Sequence, residues 1–322
     1  MKTNKNTNNT MDPMSIMLKY LPVILLVMIS AVVSAMSPKF LTIGNFSNIF
    51  MQCSGVAFVA LGAMIVLISG GMDFTSAEVV ACGSVIGGLW YLQQNRNVLF
   101  LIFGCVLTGV VVGSINGLLI AYVKFPPFIA TLAMQSIVHC VMLSFAEGNI
   151  IQLEGKVVEF LGKARIFQMP VSFLILIIFA VILWFVMNRT KLGIYTYSFG
   201  GNEQAIAYAG VNIKKYKVLI YVMAGLCYAM GTILIATRMA AIYSSVNSTL
   251  LLDGIAATVI GGTSVNGGKG TVFGTVIGAI IIAVIANALI LLKVPSNMHD
   301  VVKGGIIVFA LLIDVIVNRI KR

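Results

Sequence analysis

The sequence predicts an all-α fold, a polytopic membrane helix bundle of about ten transmembrane helices with both termini cytoplasmic. Three observations predict it. Of 322 residues, 59% are hydrophobic and 10% charged, and the mean hydropathy is +1.03; an ordinary soluble domain is about 45–50% apolar and ~25% charged. Apolar runs recur at about the 20-residue length that a ~30 Å hydrocarbon core demands of a helix. The breaks between runs are alternately rich and poor in Lys and Arg, the pattern that fixes orientation in a membrane.

Taken in order, residues 1–17 form a polar, Asn-rich cytoplasmic tail that includes Lys2 and Lys5. The first apolar run, 18–36, has no small-residue cleavage site before the next polar break, so it is read as a retained span. Further spans are expected at 51–71, 75–92, 98–122, 125–146, 170–188, 217–240, 249–264, 271–291 and 300–317. Residues 18–318 thus form one transmembrane domain, with an outer loop at about 147–169, a cytoplasmic loop at about 189–216 and a basic tail at 319–322. The eighth span is the weakest, being short and rich in glycine.

Charge supports an even span count, because one span more or fewer inverts every later loop. The stretch 188–217 carries Arg189, Lys191, Lys214, Lys215 and Lys217 against one acid, Glu203. In the outer loop Lys156, Lys163 and Arg165 are matched by Glu147, Glu154 and Glu159. The net charge of +11 is therefore assigned to topology and not to nucleic-acid binding. The five cysteines lack metal-type spacing and read as small packing residues.

Glycines mark close approach. Gly270, Gly274 and Gly278 repeat at four-residue spacing, as do Gly83 and Gly87, the small-xxx-small pattern of tight helix packing. Gly70, Gly71, Gly83 and Gly87 are echoed at Gly261, Gly262, Gly274 and Gly278, which is either a faint internal repeat of the kind that carries discontinuous helices in transporters or shared Gly, Val and Ile composition. Gly70, Gly71, Asp73, Asp253, Gly261 and Gly262 read as helix-break or packing positions.

No constellation supports catalysis or a metal site. The loop from Gly261 to Thr271 is glycine-rich and holds Lys269, yet Thr263 stands where a phosphate-binding loop needs glycine. His139 and His299 have no accompanying nucleophile or ligand set, and an intramembrane histidine more often bonds a neighbouring helix. Asp73, Glu78 and Asp253 lie in or beside apolar spans, where an unpaired charge costs ~2.5–3.5 kcal/mol, so each must face protein or water. Asp73 either caps the next helix or joins Glu78 as a cation-coupling pair in a secondary transporter; capping is favoured. Asn116, Thr131, Gln135 and Asn287 are the polar residues on spans that can line a path or bond between helices. In the stretch from Gly200 to Val211, Asn202 can cap a short helix, Ala205 belongs to a small apolar surface and Gly210 can end it. Such an element can dock into a groove on a cytoplasmic partner, and on periodicity alone it reads equally as a plain surface loop.

From about Phe40 to Asn318 the chain resembles the ribose-type sugar permeases of bacterial ABC importers. The resemblance is carried by Phe40 to Asn45, Ser69 to Phe74, Asn116 to Tyr122, Pro126 to Leu132, Gly200 to Glu203, Leu252 to Ala257, Gly261 to Ser264 and Gly267 to Gly270, in that order. It implies a permease subunit in the cytoplasmic membrane of a bacterium, paired with a second permease chain. ATPase subunits are implied inside and a sugar-binding protein outside. ATP and magnesium then belong to the ATPase, with no cofactor in this chain, and the stretch holding Gly201, Asn202, Glu203, Ala205 and Gly210 is the implied coupling element. Two departures leave the sugar open: Phe74, Thr75, Ser76 and Ala77 replace the usual Leu-Ser-Val-Gly, and Leu250, Leu251 and Leu252 replace the Tyr-Glu-Leu before Asp253. The runner-up is an ion-coupled secondary transporter using Asp73 and Glu78.

Overall fold

The computed structural model describes residues 13–146, 150–242, 249–295, 298–305 and 308, with side chains from Leu21 onward. Most of the predicted N-terminal tail, the basic tail at 319–322, Glu147 and most of the tenth span lie outside the described residues.

The described chain is a bundle of α-helices. Helices α1 (Pro13–Met36), α2 (Ile43–Ile68), α3 (Ser76–Gln93), α4 (Val98–Ala121) and α5 (Pro127–Ala146) follow one another with short breaks. A longer connection holds α6 (Lys156–Lys163) and leads into α7 (Val171–Arg189), α8 (Lys191–Tyr208), α9 (Ile213–Met239), α10 (Thr249–Ile260) and α11 (Val272–Leu291). Residues 298–305 are again helical. Six of these helices, α2, α4, α5, α7, α9 and α11, are long and apolar enough to cross a membrane.

Helix ends explain where the predicted spans shift. The second span starts at Ile43 and not at residue 51, because polar Asn45 is satisfied inside the fold. Its amide donates to Phe40 O and Asn287 Oδ1, both at 3.0 Å, and accepts from Asn287 Nδ2 at 2.8 Å. Asn97, Asn212 and Thr271 each accept a backbone N–H of the first turn of α4, α9 and α11. The seventh span therefore begins at Ile213, inside the basic cluster. Helix α10 stops at Ile260, ahead of Gly262 with its φ of +88°. At 1.5 Å per residue its 12 residues reach roughly 18 Å, short of a ~30 Å hydrocarbon core.

Two ladders of two residues each interrupt the all-α pattern: Ile151 and Gln152 pair with Ile242 and Ala241, and Arg165 and Ile166 pair with Pro170 and Met169. The first ties the predicted outer loop to the end of α9. The Tyr91 hydroxyl also donates to Glu154 O at 2.7 Å, and Arg96 forms an ion pair with the Glu154 carboxylate, so the end of α3 meets the same loop. This stretch is not a plain loop, since it carries α6.

The core centres on α2, which is buried from Ala57 through Ile68 and packs against α7, α9, α10 and α11. Helices α4 and α9 pack backbone to backbone. A Cβ on Gly109 would run into Gly225 O, one on Gly113 into Tyr221 O, and one on Gly117 would lie 2.7 Å from Val218 Cα. Gly87 faces α4 at Leu101 and Cys105, while Gly274 and Gly278 face α10 at Gly261 and Ala257. Both halves of the predicted echo therefore pack a glycine-faced helix on its neighbour. Gly270, expected on the same face, precedes α11 and instead touches Thr263 and Ile68. Four cysteines are buried as packing residues, whereas Cys140 is exposed.

Candidate translocation and coupling site

The break between α2 and α3 is where polar groups converge inside the apolar bundle. Helix α2 ends at Ile68, Gly70 turns the chain with a φ of +79°, and the chain runs through Gly71, Met72, Asp73 and Phe74 before α3 begins at Ser76. Asp73 is buried, and one carboxylate oxygen accepts from Thr75 N at 2.9 Å and Thr75 Oγ1 at 2.6 Å. Thr75 is the N-cap residue, so Asp73 does not cap α3 directly; it closes a turn that fixes the capping residue.

Other helices hold this turn from three sides. Asn116 of α4, fully buried, donates from Nδ2 to Thr75 Oγ1 at 3.1 Å. Thr131 of α5 donates to Met72 O at 3.3 Å and to Pro127 O at 2.9 Å. Tyr221 of α9 donates to Met72 O at 3.4 Å. Phe74 meets Phe128 edge to face with ring centroids 5.2 Å apart. Asn116 Nδ2 thus serves the broken segment while its Oδ1 has no partner among the described residues, Thr131 shares its one hydroxyl proton between Pro127 O and Met72 O, and Asn287 bonds Asn45. Gln135, by contrast, is half-buried on the exposed side of α5.

The acids do not gather into one cluster. Glu78 of α3 accepts from His139 Nδ1 of α5 at 3.0 Å, so Asp73 and Glu78 have separate partners. Asp253 of α10 pairs with Lys303 at 2.8 Å, the two side chains being only 10% and 16% exposed. Among the described residues no group of three or more His, Cys, Asp or Glu is placed to hold a metal ion.

The second polar region adjoins the first. In α8 the helix bends at Asn202, whose φ of −158° and ψ of 96° are extended. Asn202 Oδ1 accepts from Ala205 N at 3.0 Å and so caps the second arm, which ends at Gly210 with a φ of +75°. The expected cytoplasmic loop is therefore mostly helix. From Gly201 to Gly210 every residue is exposed except half-buried Ile206, and Tyr208 is 91% exposed. Lys217 Nζ donates to the Glu203 carboxylate at 2.8 Å.

The other arm of α8 rests directly on the helix breaks. A Cβ on Gly200 would collide with Ile68 O and Gly268 N, and Gly267 packs on Gly200 and Gly70. Gly268 N donates to Ile68 O at 2.8 Å, and Tyr197 donates to Gly270 O at 2.9 Å. Burial pushes the Tyr197 phenol above its ordinary range, which keeps it a neutral donor. Gly261 packs on Gly274, and the glycine-rich stretch to Thr271 serves as a compact turn in which Ser264 N donates to Lys269 O at 3.0 Å. Three segments, α8, the α2–α3 break and the α10–α11 turn, thus meet backbone to backbone.

Several participants are not apparent from the sequence reading. Lys303 is hidden within the expected last span, although an intramembrane lysine is itself a signal. The Gly109, Gly113 and Gly117 stripe has the same four-residue spacing as the stripes singled out. Tyr221 and Asn45 carry no local signal, since their partners are 149 and 242 residues away.

Comparison with known proteins gives the family of the chain. Residues 45–311 match the family described as "Branched-chain amino acid transport system / permease component". The chain is 36% identical to the ribose import permease protein of Bacillus subtilis, over 93% of each chain. It is 32% identical to the ribose import permease protein of Escherichia coli K12, over 90% of this chain and 92% of the other. It is also 33% identical to the galactose/methyl galactoside import permease protein of Salmonella typhimurium, over 91% of this chain and 92% of the other. No solved structure gives a significant match. On a family match spanning most of the chain and relatives aligned nearly end to end, this multi-pass membrane protein belongs to the ribose-type sugar permease family of bacterial ABC importers.

Proposed function

We propose that this chain is the transmembrane permease subunit of an ATP-driven importer and moves a ribose-like monosaccharide or a related small polar solute across the cytoplasmic membrane of a bacterium. The importer is completed by ATPase subunits carrying ATP and magnesium, an extracytoplasmic sugar-binding protein and a second permease chain. About ten spans, with both termini and α8 on the cytoplasmic side, fit the distribution of basic residues.

The observation that carries the reading is the dual placement of α8. Its capped arm, with Gly201, Asn202, Glu203, Ala205 and Gly210, is exposed for docking on an ATPase. Its other arm touches Gly70 and Gly268 at the two helix breaks. Movement of a docked ATPase is then passed to the segment that ends at Asp73 and Thr75 and is held by α4, α5 and α9, so the central path opens alternately to each side.

The test is uptake of labelled monosaccharide into vesicles holding the complete complex. Uptake is expected to require ATP, the ATPase and the binding protein; uptake by this chain alone on an ion gradient overturns the proposal. In the same system the pair Asn202→Ala and Glu203→Ala is expected to weaken ATPase association while membrane insertion stays intact. Unchanged association would remove α8 as the coupling element.

A further inference from the structure

Helix α5 carries a polar strip on an otherwise apolar exposed side. It is at once the least apolar and the least buried of the six long apolar helices. The exposed faces of α4 and α7 are built from Leu, Ile, Val, Phe and Trp, as hydrocarbon contact requires. On α5 the exposed side also carries Ile129, Leu132, Ile137, Val141, Leu143 and Phe145, but a polar strip of Ser136, Cys140 and Ser144, one turn apart and flanked by half-buried Gln135 and His139, runs along it. Ser136, Cys140 and Ser144 line one shallow hollow with Ile137, Val141 and Phe145.

His139 is the informative member. It is the thirteenth residue of a 20-residue helix, about 18 Å along it from Pro127, well inside the span. Its side chain is 44% exposed, whereas that of its partner Glu78 is 8% exposed. The carboxylate accepts from Nδ1–H at 3.0 Å, which fixes the ring orientation and leaves Nε2 without a hydrogen bond among the described residues. A group held in this way can accept from a hydroxyl or, on a protonated ring, donate to one. Small polar side chains around such a group suit a polyhydroxylated solute that must be passed on and not retained.

We propose that the Gln135, Ser136, His139, Cys140 and Ser144 side of α5 is the water-facing wall of the translocation path, with His139 contacting the solute and Glu78 acting as its positioning residue. The proposal rests on the permease reading above and adds the surface that the sugar meets. It also separates two roles on one helix: Thr131 holds the α2–α3 break, and the positions one to three turns further along face the solute.

Cys140 is a built-in reporter, because the other four cysteines are buried. In vesicles holding the complete complex, a charged, membrane-impermeant methanethiosulfonate is expected to modify Cys140, with a rate that changes about tenfold between ATP-bound and nucleotide-free states. Cys140→Ser supplies the background. Modification only by an apolar maleimide places this face in lipid and overturns the proposal. Resistance to both reagents with ready Cys140–Cys140 oxidation makes it a dry contact between copies and also overturns it. For His139, uptake per ATP hydrolysed is expected to fall about tenfold in His139→Phe and to be largely kept in His139→Asn, with ATP hydrolysis retained in both. Equal uptake in the two variants removes the solute contact. Wild-type uptake tests the permease reading independently of these labelling results.

Discussion

Gly200 and Gly70 meet with no side chain between them: a Cβ on Gly70 would lie 3.6 Å from Gly200 Cα, and one on Gly200 would run into Ile68 O. Helix α8 is therefore joined to the end of α2 through backbone, the stiffest part of either segment. Replacement of Gly200 by Ala is expected to push α8 off its seat, destabilise the protein by about 1–3 kcal/mol and reduce uptake. Gly201→Ala, where nothing lies within 4 Å, is the control for the clash alone and should leave the midpoint of thermal unfolding unchanged. Thermal unfolding in detergent and vesicle uptake measure the pair.

Helix α4 approaches α9 through Gly109, Gly113 and Gly117, so added bulk has no room there. Gly113→Val is expected to destabilise the protein by more than the Gly44→Ala change, since Gly44 faces open space and alanine favours the helix. A fall in the midpoint of thermal unfolding for Gly113→Val alone is the expected result.

Asp253 and Lys303 form an ion pair in which both side chains are mostly covered. Lys303→Met leaves an uncompensated buried carboxylate and is expected to cost ~3 kcal/mol or more. Adding Asp253→Asn to that variant should restore most of the loss. Failure of the double variant to recover stability would mean that the charges hold more than each other.

Asn45 and Asn287 exchange amide hydrogen bonds of 3.0 and 2.8 Å. A double-mutant cycle to alanine is expected to show a coupling of about 0.6–1.7 kcal/mol, the range found for polar pairs between membrane helices. A coupling near zero would show that each amide finds another partner when the first is removed.

Asp73, Thr75 and Asn116 show how far the sequence reading reaches. The break at Gly70 and Gly71 and the presence of an acid that must be satisfied are both legible, because glycine and buried charge have local costs. The partner of that acid is legible only in part. Thr75 is two residues away, but Asn116 arrives from another helix, and no local pattern states that contact. Glu78 illustrates the same limit: its neighbours suggest pairing with Asp73, whereas helix packing brings His139 from 61 residues away.

The bend of α8 lies on the legible side, since Asn202 before an alanine-rich run and Gly210 after it specify a capped arm without tertiary help. The seating of Gly200 does not, because a glycine needed for close approach has the same sequence signature as one needed for a turn. By itself the sequence determined the class of the protein, its apolar helices, the alternation of its basic breaks and the family to which its motifs belong. These follow from transfer free energies and local backbone preferences, which act residue by residue. Only the tertiary structure decided which helices touch, that α8 sits on both helix breaks, and that a polar strip with His139 lies on the exposed side of α5. Those features depend on distant residues converging, and convergence is set by helix packing in three dimensions.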